Sequence, residues 1–251
     1  MPTLFDIYLN PISLTIIGMY AALYLWESLF PRNKNLPSVK FATLRGLVAF
    51  AFFLCIGSYL PLLTDEYLAA YQIFNLGELT LALQIIIGLL VYQGFLYTWH
   101  RTMHSFNPLW RIFHQMHHST EKLDIPSTFY FSPMDMIGFT LLGSLVFAFF
   151  IGLSPDAATI VILTLYFLSI FQHANIKTPV WLGYFIQRPE QHAIHHSRGV
   201  HGYNYADFPI FDLVFGTFKN PKDYQGHYGF YDGASAKVMD MMAFKDLTKN
   251  T

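Results

Sequence analysis

Four apolar runs of membrane-crossing length, with a shorter fifth, restrict what this chain can fold into. A spanning helix needs about 20 mostly apolar residues, with about 17 as the lower limit. The first is "ISLTIIGMYAALYLWESLF" (residues 12–30), which qualifies despite Glu27 near its end. "GLVAFAFFLCIGSYLPLL" (46–63) carries Pro61 near its exit, and "LTLALQIIIGLLVYQGFLYTW" (79–99) is nearly uncharged. "MIGFTLLGSLVFAFFIGL" (136–153) is separated only by the tight "SPD" turn from "AATIVILTLYFLSIF" (157–171). These last two read as a helical hairpin whose second arm is short for a full crossing. Charged residues are 12% of the 251, about half the share in soluble domains. The expected fold is therefore an all-α integral membrane protein with about four to five transmembrane helices, in a single domain over 1–251.

Lysine and arginine bias sets the orientation. Arg32, Lys34, Lys40 and Arg45 lie between the first two runs and place that connection in the cytoplasm. The next connection, "TDEYLAAYQIFNLGE", has acids and no bases, so it faces outward. The third run then returns to the cytoplasm at "HRTMH", and the hairpin leaves and comes back at "FQHAN". All histidine clusters thus fall on the cytoplasmic side. The N-terminus lacks the basic stretch and small-residue cleavage site of a signal peptide, so it is expected to be retained. In a bacterium the destination is the inner membrane.

Eleven histidines are present, and nine fall into four groups: His100 and His104; His114, His117 and His118; His173; and His192, His195 and His196. Helical positions three and four apart share a face, so His100 and His104 form one bidentate face. His-x-x-His-His occurs twice, and in each triplet the last two residues straddle the face carrying the first. Each triplet therefore offers donors to two adjacent ions. Nine histidines exceed the three or four protein ligands of one zinc centre; two metals fit better. Imidazole suits zinc, copper, iron and nickel alike, so ligand type does not choose among them. His227 is assigned to surface packing.

Several chemistries are excluded. Cys55 is the single cysteine, which rules out an intrachain disulfide and a thiolate cluster; it reads as a small buried hydrophobe. There is no His-Glu-x-x-His, no Gly-x-Ser-x-Gly, no phosphate loop and no dinucleotide fingerprint. Net charge is −1 and no basic run points to nucleic acid. What remains is a histidine-rich dimetal centre at the membrane surface. A wholly apolar cavity rising from it into the bundle would present an unactivated C–H bond, whose oxidation needs a strong oxidant such as an iron–oxygen species.

"HRTMH", "WRIFHQMHHSTEKLD", "FQHANI" and "RPEQHAIHHS" resemble, in order and spacing, the histidine boxes of the fatty acid hydroxylase superfamily, which includes the sterol desaturases. "NYADFPIFDLVFGTF" extends the resemblance, which is strongest over 96–218. It implies a helical membrane fold with a cytosolic histidine-rich helical cap holding two iron ions. It also implies oxygen-dependent hydroxylation or desaturation of a membrane lipid (fatty acyl, sterol or ether lipid). Carried over residue by residue, His100, His104, His114, His117, His118, His173, His192, His195 and His196 would be the metal ligands. Electrons would come from a separate donor, cytochrome b5 or a ferredoxin with its reductase. Zinc is the alternative metal, and a zinc-dependent lipid hydrolase or a histidine-rich metal transporter or sensor are the alternative functions.

The sequence departs from the family pattern at three places. Some members carry a further histidine four residues after the one matching His173; here it is Lys177. Asn175, His201 or a water are the alternatives for that coordination position. "YFSPMD" (130–135) stands where bacterial relatives often read Arg-Phe-His-Pro-Leu-Glu, and Ala206 replaces the glycine of Asn-Tyr-Gly. Asn204, Tyr205 and Asp124 are expected to orient ligand imidazoles, with capping and packing as their alternative. Asp124, Glu190 and Asp207 flank the boxes, where salt bridging is the competing role. Trp99, Trp110 and Trp181 are assigned to the interfacial aromatic belt.

Overall fold

A computed structural model describes residues 1–248. Its helices in chain order are α1 (Leu4–Tyr8), α2 (Pro11–Leu29), α3 (Ala42–Ala69), α4 (Leu81–Ser105), α5 (Asn107–Leu109) and α6 (Gln115–His118). They continue with α7 (Pro133–Ser144), α8 (Pro155–His173), α9 (Pro189–His195), α10 (Ile210–Val214) and α11 (Val238–Met242). Among the described residues there is no strand, only an isolated antiparallel bridge between Ser197 and Tyr228. By length and composition, α2, α3, α4, α8 and the segment Pro133–Phe150 can each cross a membrane. The protein is an all-helical integral membrane protein, with five such spans among the described residues. α8 covers 19 residues, so the second arm of the hairpin is as long as the first span.

Local chemistry explains the boundaries. Asn10, Ser132 and Ser154 each accept a first-turn N–H from the N-cap of α2, α7 and α8, and a proline opens each of these helices. Proline at the first turn gives up an N–H that has no helical partner anyway. Between α7 and α8, Gly152 has φ +59°, and a Cβ there would meet the Phe74 carbonyl oxygen at 2.5 Å. Only glycine fits that turn. Pro61 does not end α3, which runs to Ala69. Its ring displaces the helical donor to the Gly57 carbonyl, and both residues border an internal cavity described below.

α2 packs on α8, α8 on α4, and α3 on α7. Lipid tails are as apolar as leucine, so close packing and internal hydrogen bonds drive such association. Tyr20 of α2 stacks on Phe50 of α3 at 4.4 Å, and Phe50 and Phe53 both stack on Phe129 at 5.1 Å. Gly46 lets α3 press against the Ile125–Ser127 turn. A Cβ there would lie 1.9 Å from the Pro126 carbonyl oxygen. Large apolar side chains such as Phe52, Leu62, Leu83 and Ile86 remain exposed on the spans, as lipid-facing surfaces require.

α4 extends past Trp99 to Ser105 and so carries both His100 and His104 on its last turns. α8 ends at His173. α6 and α9 pack across those two helix ends, forming a helical cap at one end of the bundle. Arg188, fully buried, fixes the start of α9 through Glu190 at 3.0 Å, the Thr178 carbonyl and Asn220.

Candidate metal centre

The two triplets sit on the two short helices of the cap. A widened π-type turn, Trp110–His114, leads into α6, a distortion frequent at functional sites. α9 carries His192 and His195, with His196 as its C-cap. The nine histidines come together in two groups, each with donor nitrogens within 4.8 Å of one another. One group is His100, His104, His114, His118 and His195; the other is His117, His173, His192 and His196. Donors gathered on that scale match a coordination sphere built from bonds of about 2.0–2.1 Å. Each triplet is divided between the groups. Its first and last members, four apart, join one group and its middle member joins the other.

In five of the nine rings, hydrogen bonding fixes which nitrogen is bare. Nδ1–H of His100 donates to the Tyr205 carbonyl at 2.6 Å, that of His173 to Ser169 at 2.7 Å and that of His195 to Tyr203 at 2.8 Å. His192 Nδ1–H donates to the side-chain carbonyl of Gln187, and His114 Nδ1–H to the Asp135 carboxylate at 3.1 Å. Carbonyls and carboxylates only accept, so the proton of each ring sits on Nδ1 and Nε2 carries a lone pair. Those lone pairs face each other: 2.9 Å separates Nε2 of His100 and His114, and 3.0 Å separates Nε2 of His173 and His192. Two bare nitrogens at that distance repel unless a cation lies between them. His195 Nε2 and both nitrogens of His104 and His118 are buried without any partner. The donor set therefore fits metal ions, and imidazole is a donor shared by zinc, iron, copper and nickel.

Burial keeps these rings neutral. It pushes His114, His117, His118, His192, His195 and His196 well below the usual imidazole value, and mutual repulsion among neighbouring imidazoles adds to the effect. Asp135 is a site residue that the sequence does not single out: "YFSPMD" stands there only as a departure from the family pattern. Its signal was an acid on the first turn of a spanning helix, level with the histidines. Gln187 and the backbone carbonyls carried no signal, because their roles depend on tertiary placement.

The remaining expected residues divide. Tyr205 does touch the site: its carbonyl holds His100, its ring packs edge-on against His100 and His195, and its hydroxyl donates to the His201 carbonyl. His201 stacks 5.7 Å from His104, with an unpartnered buried Nδ1, outside both groups. Asn204, at φ +57°, uses its side chain on Gln191 and Lys219. It fixes the loop, not an imidazole. Asp124 caps the Ile125–Ser127 turn and pairs with Lys122, and Asn175 spends its side chain on Asn33. Glu190 is taken by Arg188 and Thr178. Lys177 is exposed, and the second group gathers four imidazoles without it. Trp110 is buried against His104, His118 and His201 and so presents no ring to an interface; Trp181 is 63% exposed.

A cavity of about 210 Å³ begins at His100, His114, His117, His173 and His192 and runs beside Phe53, Gly57 and Pro61 of α3 as far as Asp65. It is not wholly apolar. Thr128, Gln172 and Asp207 also border it, because these polar groups belong to the cap and to the last turn of α8.

The model of the fatty acid hydroxylase family matches residues 85–217, which include every one of the nine histidines. The chain belongs to that family. Over 145 residues it is 30% identical to an ornithine lipid hydroxylase, OlsE, of Rhizobium tropici, covering 56% of this chain and 43% of that protein. Over 192 residues it is 28% identical to sphinganine C4-monooxygenase 2 of Arabidopsis thaliana, covering 70% of this chain and 66% of that protein. The chain thus spans less than two thirds of either relative's length. No solved structure matches it.

Proposed function

We propose that this protein is a membrane-embedded diiron oxidoreductase that hydroxylates or desaturates a membrane lipid with molecular oxygen. The observation that carries the proposal is the pair of neutral imidazole groups at the mouth of an internal cavity. Two relatives whose names describe lipid hydroxylation and monooxygenation support the reaction class. Two bound irons would supply the oxygen-activating chemistry that an unactivated C–H bond requires. All nine histidines would serve as ligands, five to one ion and four to the other.

The rest falls to the chain's own groups. Asp135, Gln187 and the carbonyls of Ser169, Tyr203 and Tyr205 would hold the imidazoles in one tautomer and one orientation. The cavity would exclude water from the reacting carbon and align an acyl chain along α3. A separate donor, cytochrome b5 or a ferredoxin with its reductase, would deliver electrons to the cap. The lysine and arginine bias supports a cytoplasmic cap, at the inner membrane if the host is a bacterium.

The test is metal analysis of purified protein, oxygen uptake with reductant, and lipid mass spectrometry of cells with and without the gene. Iron at about two ions per chain and a lipid that loses an oxygen atom or a double bond on deletion are expected. Protein that binds no iron, together with an unchanged lipid profile, would overturn the assignment.

A further inference from the structure

α10 lies outside the five spans, yet it exposes Ile210, Leu213 and Val214, with Phe215 exposed at its C-cap. Val214 is 71% accessible. A cluster of large apolar side chains on so short a helix marks an interaction surface.

The level of this patch along the bundle is set by α4. Phe211 of α10 fills the notch at Gly94, where a Cβ would come within 3.1 Å of its ring. Phe215 stacks on Tyr97 at 5.1 Å, and the Tyr97 and Thr217 hydroxyls lie 3.1 Å apart. Gly94 and Tyr97 stand five and two residues before Trp99, where the apolar run of α4 ends. At a helical rise of 1.5 Å per residue, α10 therefore sits about 3 to 7.5 Å inside that end. A helix lying in a membrane interface buries its apolar face about 5–10 Å into the boundary between headgroups and acyl chains. Arg101, the first charge after the run, is exposed and donates to the Tyr97 hydroxyl at 2.8 Å, just beyond the level of α10.

The polar groups of the segment are answered from within. The N–H groups of Leu213, Phe215 and Thr217 donate to the carbonyls of Pro209, Phe211 and Asp212. The buried Asp212 carboxylate accepts the Tyr205 and Ala206 N–H groups and the Thr217 hydroxyl. Backbone satisfied in this way can enter lipid.

We infer that α10 is a lipid anchor of the cap, seated in the leaflet at the cap end of the bundle with Leu213 and Val214 among the acyl chains. The seat continues the lipid-facing surface of α4. Asp212 fixes the Tyr205 N–H, and the Tyr205 carbonyl accepts from His100, so the anchor also backs one wall of the first histidine group.

The test is nitroxide labelling of the full chain in phospholipid nanodiscs, with Cys55→Ala removing the single cysteine. Leu213→Cys and Val214→Cys carry the label on α10; Leu90→Cys on the exposed face of α4 reports lipid, and Asp232→Cys on the cap reports water. The labels on α10 are expected to collide more with oxygen than with a water-soluble nickel chelate, as at Leu90, and the order should reverse at Asp232. An excess of nickel collisions at either α10 position overturns the inference, because the patch then faces water. Low access to both reagents overturns it as well, because another protein surface then covers the helix. Val214→Asp gives an independent readout. A carboxylate is costly among acyl chains, so this variant should melt several degrees below wild type in nanodiscs, whereas Val214→Leu should not. An exposed position in water tolerates both changes, so equal melting of the three proteins would also overturn the lipid seat.

Discussion

His118 and His196, the last histidines of the two triplets, lie face to face, with ring centroids 4.1 Å apart and planes 10° from parallel. One belongs to the five-membered group and the other to the four-membered group, so this stack is the shared wall between the two candidate metal sites. The groups are neighbours by construction, yet they differ in redundancy.

That difference predicts unequal metal loss. His118→Ala leaves four imidazoles in the first group, whereas His173→Ala leaves three in the second. Elemental analysis of the purified variants should show nearly full occupancy for His118→Ala and a fall toward one ion per chain for His173→Ala. Equal loss from both variants would contradict the five-and-four division.

Asp135 holds His114 by its Nδ1–H at 3.1 Å and is itself 0% exposed. Partners of this kind typically contribute about 10- to 100-fold to metal affinity or activity. Asp135→Ala should weaken metal retention by about that factor against a chelator. Asp135→Asn keeps an accepting oxygen and should recover much of it, which a purely structural role for the carboxylate would not produce.

Legibility in the sequence followed the range of the interactions. The five spans and the nine histidines were readable because each depends on spacing within one segment: a length of apolar residues, or a three- and four-residue interval on a helix. The division of each triplet between two histidine groups was foreseen only in outline, since the assignment of first and last members together depends on where α4 and α8 end. Asp135 and Gln187 were not readable as site residues. They reach His114 and His192 across 21 and 5 positions, from places that packing sets. Trp110 was misplaced for the same reason: an indole at the end of a span favours the interface in general, but here a ring of histidines covers it.

Asp207 gives a pH signature. Burial pushes its carboxyl up to about 6, against the lowering effect of the Gln93 and Gln172 hydrogen bonds. An unfolded chain releases that proton near pH 4, so between about pH 4 and 6 the folded state holds more proton here than the unfolded state. Stability from this group is therefore full below about pH 4 and declines as pH rises through 6, by up to about 3 kcal/mol. The buried cap histidines, pushed down, act in the opposite sense. The difference between wild type and Asp207→Asn isolates the effect: melting curves in detergent from pH 4 to 8 should show the wild type losing ground relative to the variant as pH rises, and a pH-independent difference would refute the assignment.

Glu27, the lone acid in the first span and at first sight a blemish there, ties both halves of the site to α2. Its two oxygens accept the Ile125 N–H at 3.1 Å, and Oε2 also accepts the Asn175 N–H at 2.8 Å. Ile125 follows the first triplet in the chain, and Asn175 stands two residues beyond His173, so one carboxylate spans the two groups from outside. Glu27→Gln puts an NH2 where Oε1 stands, facing the Ile125 N–H, and leaves one neutral oxygen to accept both backbone donors, so the charge-assisted two-oxygen acceptance of the Ile125 N–H is lost. Such a loss typically costs about 1–3 kcal/mol. The variant should melt several degrees lower in detergent and release metal faster to a chelator, while Glu27→Asp, which keeps two accepting oxygens on a shorter stem, should fall between the two. A Glu27→Gln protein with wild-type melting and metal retention would show that the span carries its acid for some other reason.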